Sequence, residues 1–388
     1  MNKGKSYFFC FMAIFFFSTA FADDTINIAA IYAFTGAAAE ANSGSVQGVR
    51  CGVDRINEQG GVLGKKIKLL MLDNFSTPIG SSIAAEQAVK AGVTAIVGAA
   101  WSSHSIAIAK VAQAEKIPMI SDTSTNPKVT KIGNYIFRVC FTDDFQGKVM
   151  ARFARHDINA ATAVVFTDLT SDYSLKLSEI FRKYFEQSGG KVVAEVKYKY
   201  KHKDWNDQIL EAGKAGPDVL FFPGHDECGQ IARQAQDAGI AAVPLGGDGW
   251  AGQAFFSKGG SKLTQGYYCT HWSESADSEL SMSFVKKYKH VRGFGGGTAL
   301  GYDAVMVLAD AIKRAGSIDS NKIRDAIANT RSFNGVTGTI SFDANGDPVK
   351  SAVIMEIKNG TPSYLKTLEP FLRNQGKSKK YIERKTNE

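Results

Sequence analysis

The stretch from Gly98 to Pro127, GAAWSSHSIAIAKVAQAEKIPMISDTSTNP, decides the fold class. An apolar run from Val93 to Val97 leads into it and reads as a short buried strand. Ser102 and Ser103 stand before an amphipathic run, Ile106 to Glu115. Pro118 breaks that run, Met119 and Ile120 read as a second strand, and Ser121, Asp122, Thr123, Ser124 and Thr125 follow. Two consecutive strands therefore end in small hydroxyl residues. Joined by a crossover helix in a parallel sheet, they place both clusters at one edge. Open α/β sheets bind ligands outside the carboxyl ends of their strands. Hydroxyls and free N–H groups at a helix start suit a carboxylate or a phosphate. The plainer reading is that Ser102 or Ser103 caps the helix.

The same alternation continues on both sides. Upstream, Ile26 to Tyr32 reads as a strand, and Val46, Val49, Val53 and Ile56 fall at helical spacing until Gly60-Gly61. Lys66 to Leu72 is a strand, and Thr77-Pro78 is a helix cap with proline in the first turn. Downstream of Asp143 the pattern restarts. Strands at Thr162–Phe166, Val192–Tyr200, Val219–Phe222 and Val243–Gly246 alternate with helices at Tyr173–Ser188, Trp205–Ala215 and Cys228–Gly239. This predicts two parallel-sheet lobes. Long helices follow, Ser320 is the expected cap of one of them, and Phe342–Asp347 is the expected hairpin turn between two final strands.

The chain has 388 residues, 44% hydrophobic and 22% charged, which suits a globular protein of two domains. Residues 1–22 combine Lys3 and Lys5, an apolar core from Tyr7 to Phe17, and Ala20-Phe21-Ala22. That is the pattern of a secretory leader cleaved after Ala22, too short to span a membrane. Its two lysines take the net charge from +8 to +6. The excess is partly local: Lys197, Lys199, Lys201 and Lys203 alternate with Tyr198, Tyr200 and His202 as one wet strand face, the weaker reading being nucleic-acid binding. Cys51, Cys140, Cys228 and Cys269 lack CxxC spacing. Export permits disulfides, the pairing stays open, and buried thiols are the expectation.

Three catalytic or cofactor patterns fail on context. Gly247 to Gly252 fits GxGxxG, but a very short strand precedes it and no long helix follows, so it reads as a glycine-rich loop carrying Asp248. His225-Asp226-Glu227-Cys228 offers metal-ligand types without a recognised spacing, and a loop with helix-capping acids is the plainer reading. Ser102-Ser103-His104 lacks the strained elbow and oriented base of a hydrolase. The chain is expected to be no enzyme and to need neither cofactor nor metal.

An ordered series of motifs runs the length of the mature chain. It comprises Phe34-Thr35-Gly36, Ile56 to Ile67 (INEQGGVLGKKI), Asp73-Asn74, Trp101-Ser102-Ser103, Ser121 to Pro127, Phe137-Arg138, Asp168 with Tyr173, Trp205 to Leu210, Gly216-Pro217-Asp218, Gly301 to Ala304, and Phe342 to Asp347. In this series the chain resembles the leucine/isoleucine/valine-binding periplasmic proteins, the type I solute-binding proteins of ABC importers. The resemblance implies an α/β type I periplasmic binding protein fold: two Rossmann-like lobes with parallel sheets, joined by three hinge crossovers and closing on ligand. It places lobe one at 23–140 plus 274–358, lobe two at 141–273 plus 359–375, and a charged tail at 376–388. In amino-acid-binding members a serine and a threonine hold the α-carboxylate. The matching residues are Ser102 and Thr125, with the Thr123 carbonyl and Asp248 for the α-ammonium and Tyr173 as the second lobe's aromatic contact. Ser103 stands beside these. Trp101 is bulkier than the usual residue, and His225 stands where a tyrosine is common, so both bear on which side chain is accepted.

The resulting expectation is a periplasmic, monomeric protein that captures an amino acid, branched-chain or related, and hands it to an inner-membrane ABC permease, without binding nucleic acid. The alternatives are a periplasmic ligand sensor, or a binder of a small amide, urea or carboxylate.

Overall fold

The computed structural model describes residues 25–200 and 204–370. The expected leader, the tail at 376–388 and the lysine-rich positions 201–203 lie outside them. Strand β1 (Thr25–Tyr32) is followed by α1 (Ala39–Glu58), β2 (Lys66–Asp73), α2 (Pro78–Lys90), β3 (Ala95–Gly98), α3 (Ser102–Ala114), β4 (Met119–Ser121) and β5 (Ile136–Arg138). These strands form one parallel sheet in the order β2-β1-β3-β4-β5. β1, TINIAAIY, is apolar on both faces, as a parallel strand covered on both sides must be. Ile26, Ile28 and Ala30 pack in the core that holds Val49 and Val53 of α1. Ala29 and Ile31 pack in the opposite core with Ala84 of α2 and Ile108 of α3.

The pattern then repeats: α4 (Asp143–His156), β6 (Thr162–Asp168), α5 (Asp172–Gln187), β7 (Lys191–Tyr198), α6 (Asn206–Lys214), β8 (Val219–Phe222), α7 (Cys228–Asp237), β9 (Val243–Gly246), α8 (Gln253–Ser257) and β10 (Gln265–Thr270). The strands run β7-β6-β8-β9-β10, the same order as in the first sheet. In both sheets the winding reverses beside the first strand of the lobe, and the loops at the carboxyl ends there are where ligands bind in such folds.

After β10 come α9 (Glu279–Tyr288), α10 (Gly296–Ala315), α11 (Ser320–Ala328), β11 (Phe333–Gly335), β12 (Gly338–Ile340), β13 (Ala352–Lys358) and β14 (Thr361–Leu368). α10 returns to the first lobe and lies against α1 with almost no side chain between them. A Cβ at Gly48 would stand 2.1 Å from the Thr298 carbonyl oxygen, and one at Gly301 would stand 2.5 Å from that of Ser45. That approach brings Ser45 of α1 and Gly296-Gly297 of α10 to the same edge. The chain crosses between lobes at 139–142, 271–278 and 341–351, giving two α/β lobes and three crossovers.

Some expectations need correcting. The first lobe does not extend to 358: β13 pairs antiparallel with β10 over Gln265–Thr270 and belongs to the second sheet. The final hairpin turns at Asn359-Gly360, both at positive φ (48° and 74°), as a tight hairpin turn requires. The turn at Asp343–Asp347 instead closes the Phe342↔Pro348 bridge within the third crossover. α11 is capped by Asp319, whose carboxylate accepts from Lys322 N–H, and Ser320 is its first helical residue. Thr77 caps α2 as expected, accepting from Gly80 N–H. Among the described residues Cys51, Cys140, Cys228 and Cys269 are free and buried.

Candidate functional site

β3 and β4 are adjacent and parallel, so the two hydroxyl clusters do share an edge. Most of those hydroxyls hold the two turns together. Ser121 and Ser124 donate to the Ala99 carbonyl at 3.1 and 2.9 Å, Ser105 and Ser124 bond to each other at 2.7 Å, and Thr123 donates to Ala100 at 3.0 Å. Neither Ser102 nor Ser103 caps α3. Trp101 occupies the cap position with no side-chain bond, and Ser102 begins the helix. The Ser102 hydroxyl accepts from Asn126 N–H at 3.1 Å, so its own proton is left to be donated.

Between the lobes lies a cavity of about 90 Å³. Trp101, Ser102, Thr123 and Ser45 of the first lobe form one wall; Tyr173, His225, Asp248 and His271 of the second face them. Each second-lobe residue stands just past a strand's carboxyl end: Tyr173 after β6, His225 after β8, Asp248 after β9, His271 after β10. Two of the residues named from the sequence are elsewhere. Ser103 accepts from Asp172 N–H of α5 at 3.1 Å, a bond between lobes. Thr125 stands behind the wall, its hydroxyl accepting from Gln146 Nε2 at 3.3 Å. The structure has the lobes shut, because Asn126 Nδ2 also donates to the Asp172 carbonyl at 2.6 Å and Lys128 pairs with the Asp172 carboxylate at 3.2 Å.

Among the described residues the wall carries no lysine or arginine. Burial pushes the His271 and His225 imidazoles below their ordinary range despite neighbouring carboxylates, so both rings are neutral at pH 7. His271 Nε2 then donates to Asp248 Oδ2 at 3.0 Å without cancelling its charge, and Asp248 Oδ1 has no partner. The cavity thus offers an uncompensated anionic oxygen on one side and a free hydroxyl at a helix start on the other. Tyr173 is fully packed, and its hydroxyl accepts from Gly249 N–H at 3.3 Å, which fixes the Asp248 turn.

His225 and its neighbours do not act as helix caps. Glu227 accepts from the Tyr198 hydroxyl at 2.7 Å, and Asp226 accepts from the Tyr200 hydroxyl and pairs with Lys258. Among the described residues no group of three or more His, Cys, Asp or Glu is placed to hold a metal ion. No helix there is long and apolar enough to cross a membrane.

The model of the family described as periplasmic binding protein matches residues 25–362. The chain belongs to that family. A leucine-, isoleucine-, valine-, threonine- and alanine-binding protein of Pseudomonas aeruginosa is 30% identical over 356 residues, 89% of this chain and 94% of the relative. Among solved structures, the leucine-binding protein LivK of Thermotoga maritima is 37% identical with a TM-score of 0.85, covering 89% of this chain and 99% of the other. The branched-chain amino-acid-binding LivJ of Streptococcus pneumoniae, solved with isoleucine, is 30% identical with a TM-score of 0.83, covering 89% of this chain and 100% of the other. Periplasmic binding proteins are solute binders and not enzymes.

In this periplasmic binding protein, sequence reasoning passed over His271, Ser45 and Gln146. Gln146 joins the parts of the hinge: its amide donates to Asp143 and Thr125, and its oxygen accepts from Asp248 N–H at 3.2 Å. Asp143, at the first crossover, is wholly buried, and burial, aided by the Asp248 charge and opposed by Thr125, pushes its carboxyl up to about 8. An unfolded aspartate titrates near ~3.9. The folded chain therefore holds this proton while the unfolded chain releases it, and stability falls as pH rises from about 4 to about 8. Asp143→Asn keeps the shape without the titration. It is expected to match the parent in urea unfolding at pH 4 and to exceed it by about 1 kcal/mol or more at pH 8.5, since one pKa unit is ~1.4 kcal/mol. Equal pH profiles would remove Asp143 as the source.

Proposed function

We propose that the protein binds a free α-amino acid between its lobes and delivers it to an ABC permease in the inner membrane. The observation that carries this is the pairing, across one shut cavity, of the Ser102 hydroxyl at the start of α3 with the unpartnered Oδ1 of Asp248. A zwitterion needs a donor and an acceptor placed in this way. The carboxylate rests on Ser102 and the first turn of α3, where the helix dipole adds about 0.3–1 kcal/mol. The ammonium bonds Asp248 and the Thr123 loop, with Tyr173 holding the Asp248 turn. Charge-assisted bonds contribute roughly 1.5–3 kcal/mol each, so three or four of them reach micromolar affinity, about −8 kcal/mol. Thr125 supports the site through Gln146. The likeness to proteins named as amino-acid binders supports the same class. The chain is exported with cleavage after Ala22 and acts in the periplasm as a monomer.

A thermal-shift screen tests the ligand class, because ligand that binds only the folded state raises the melting temperature. The panel is the twenty amino acids with small amides, urea and short carboxylates. A rise with α-amino acids alone is expected; a rise with simple acids or amides alone would sink the zwitterion reading.

A further inference from the structure

The cavity is small because of one side chain. Trp101 reaches from the first lobe across the cleft and stacks face to face on His225 of the second, with ring centroids 4.1 Å apart and planes 4° apart. Nothing fits between rings at that spacing, since carbon atoms touch at about 3.5–4.0 Å. The indole is held on other sides as well: His104 stacks at 5.6 Å and Tyr200 meets it edge-on at 5.5 Å. Tyr173 backs His225 at 4.9 Å, so the stack is anchored in the second lobe. A ligand cannot displace the indole without breaking contacts to both lobes.

The lobes are shut, so a trapped ligand must fit the space left between them. At about 90 Å³ it is smaller than the ~150 Å³ cavity that accommodates benzene. Alanine has as many heavy atoms as benzene, and its charged ends make short hydrogen bonds that draw it close to the walls. Leucine is larger by an isopropyl group. Where Trp101 and His225 stack, the wall offers no slot for that group.

We propose that Trp101, locked on His225, restricts this protein to α-amino acids with small side chains, such as glycine, alanine and serine, and excludes the branched-chain ones. This rests on the reading of the cleft as an amino-acid site. It makes Trp101 a specificity-determining residue whose removal enlarges the site towards leucine.

Titration calorimetry of the full mature protein with glycine, serine, alanine, valine and leucine tests it, alongside Trp101→Ala and His225→Ala. The parent is expected to bind alanine at least tenfold more tightly than leucine. Trp101→Ala is expected to shift the alanine-to-leucine ratio by tenfold or more towards leucine. The ratio is used because losing the stack weakens closure for every ligand. His225→Ala opens the same slot and serves if the tryptophan variant does not fold. A parent that binds leucine as tightly as alanine overturns the size limit while leaving the amino-acid reading standing. A preference for alanine that persists in both variants removes Trp101 as its cause. Failure of every amino acid to bind overturns this inference together with the reading beneath it.

Discussion

Asp248→Asn is expected to weaken amino-acid binding at least tenfold, and up to about a hundredfold, as measured by calorimetry. Among the described residues the carboxylate is the only acidic group on the cavity wall left without a cation: Asp226 is paired with Lys258, and the His271 ring beside Asp248 is neutral. Asparagine preserves the shape and can still accept from His271, so the loss isolates the charge. A charge-assisted hydrogen bond contributes roughly 1.5–3 kcal/mol, and ~1.4 kcal/mol corresponds to a factor of ten. The unliganded variant should fold as well as the parent, because the amide keeps the His271 contact and removes an unpartnered buried charge. Unchanged affinity would show that the ammonium is held elsewhere.

The largest loss of stability is expected from Arg138→Met, about 3–5 kcal/mol in urea unfolding. Arg138 ends β5 with its side chain fully buried. Nε donates to Asp347 at 2.6 Å, Nη1 to the Ser124 carbonyl at 2.6 Å, and Nη2 to Thr130 at 2.9 Å. Methionine fills the space but leaves the Asp347 charge without its cation and the Ser124 carbonyl without its side-chain donor. Arg138→Lys should recover little, since a single ammonium cannot reproduce the three-way fork. Adding Asp347→Asn to Arg138→Met should restore part of the loss by removing the orphaned charge. If the double variant is as unstable as the single one, the cost lies in packing and the buried pair contributes little.

The alternation of strands and helices made the two-lobe fold legible, because a parallel strand covered on both faces has little freedom in composition. The strand-end rule took Ser102 and Thr123 to the loops that meet at the cavity, and the family resemblance added Trp101, Tyr173, His225 and Asp248. Applied to β10 it would also have found His271. Side-chain direction within a loop was not legible. Ser103 and Thr125 have the same chemistry as Ser102, yet one bonds the opposite lobe and the other bonds Gln146, choices made by residues far away in sequence. Ser45 reaches the wall only because glycines let α1 and α10 touch. The last hairpin had a plain local signal in Asn359-Gly360, overshadowed by the turn-rich run at Asp343–Asp347.

The antiparallel pairing of β13 with β10 also bears on how the chain assembles. A polypeptide synthesised from its amino end presents the five strands of the first lobe early. The second sheet stays one-sided until residue 368 arrives: β10 exposes an unpaired edge, and Ala352, Ile354 and Leu368 are missing from the core beside Phe153 and Val165. Unpaired strand edges recruit other chains, and contacts closed over such a separation form late. The interval between emergence of β10 and of β13 is therefore when the nascent protein most needs a chaperone. Truncation before Ala352 should leave an aggregating second lobe instead of a smaller working protein.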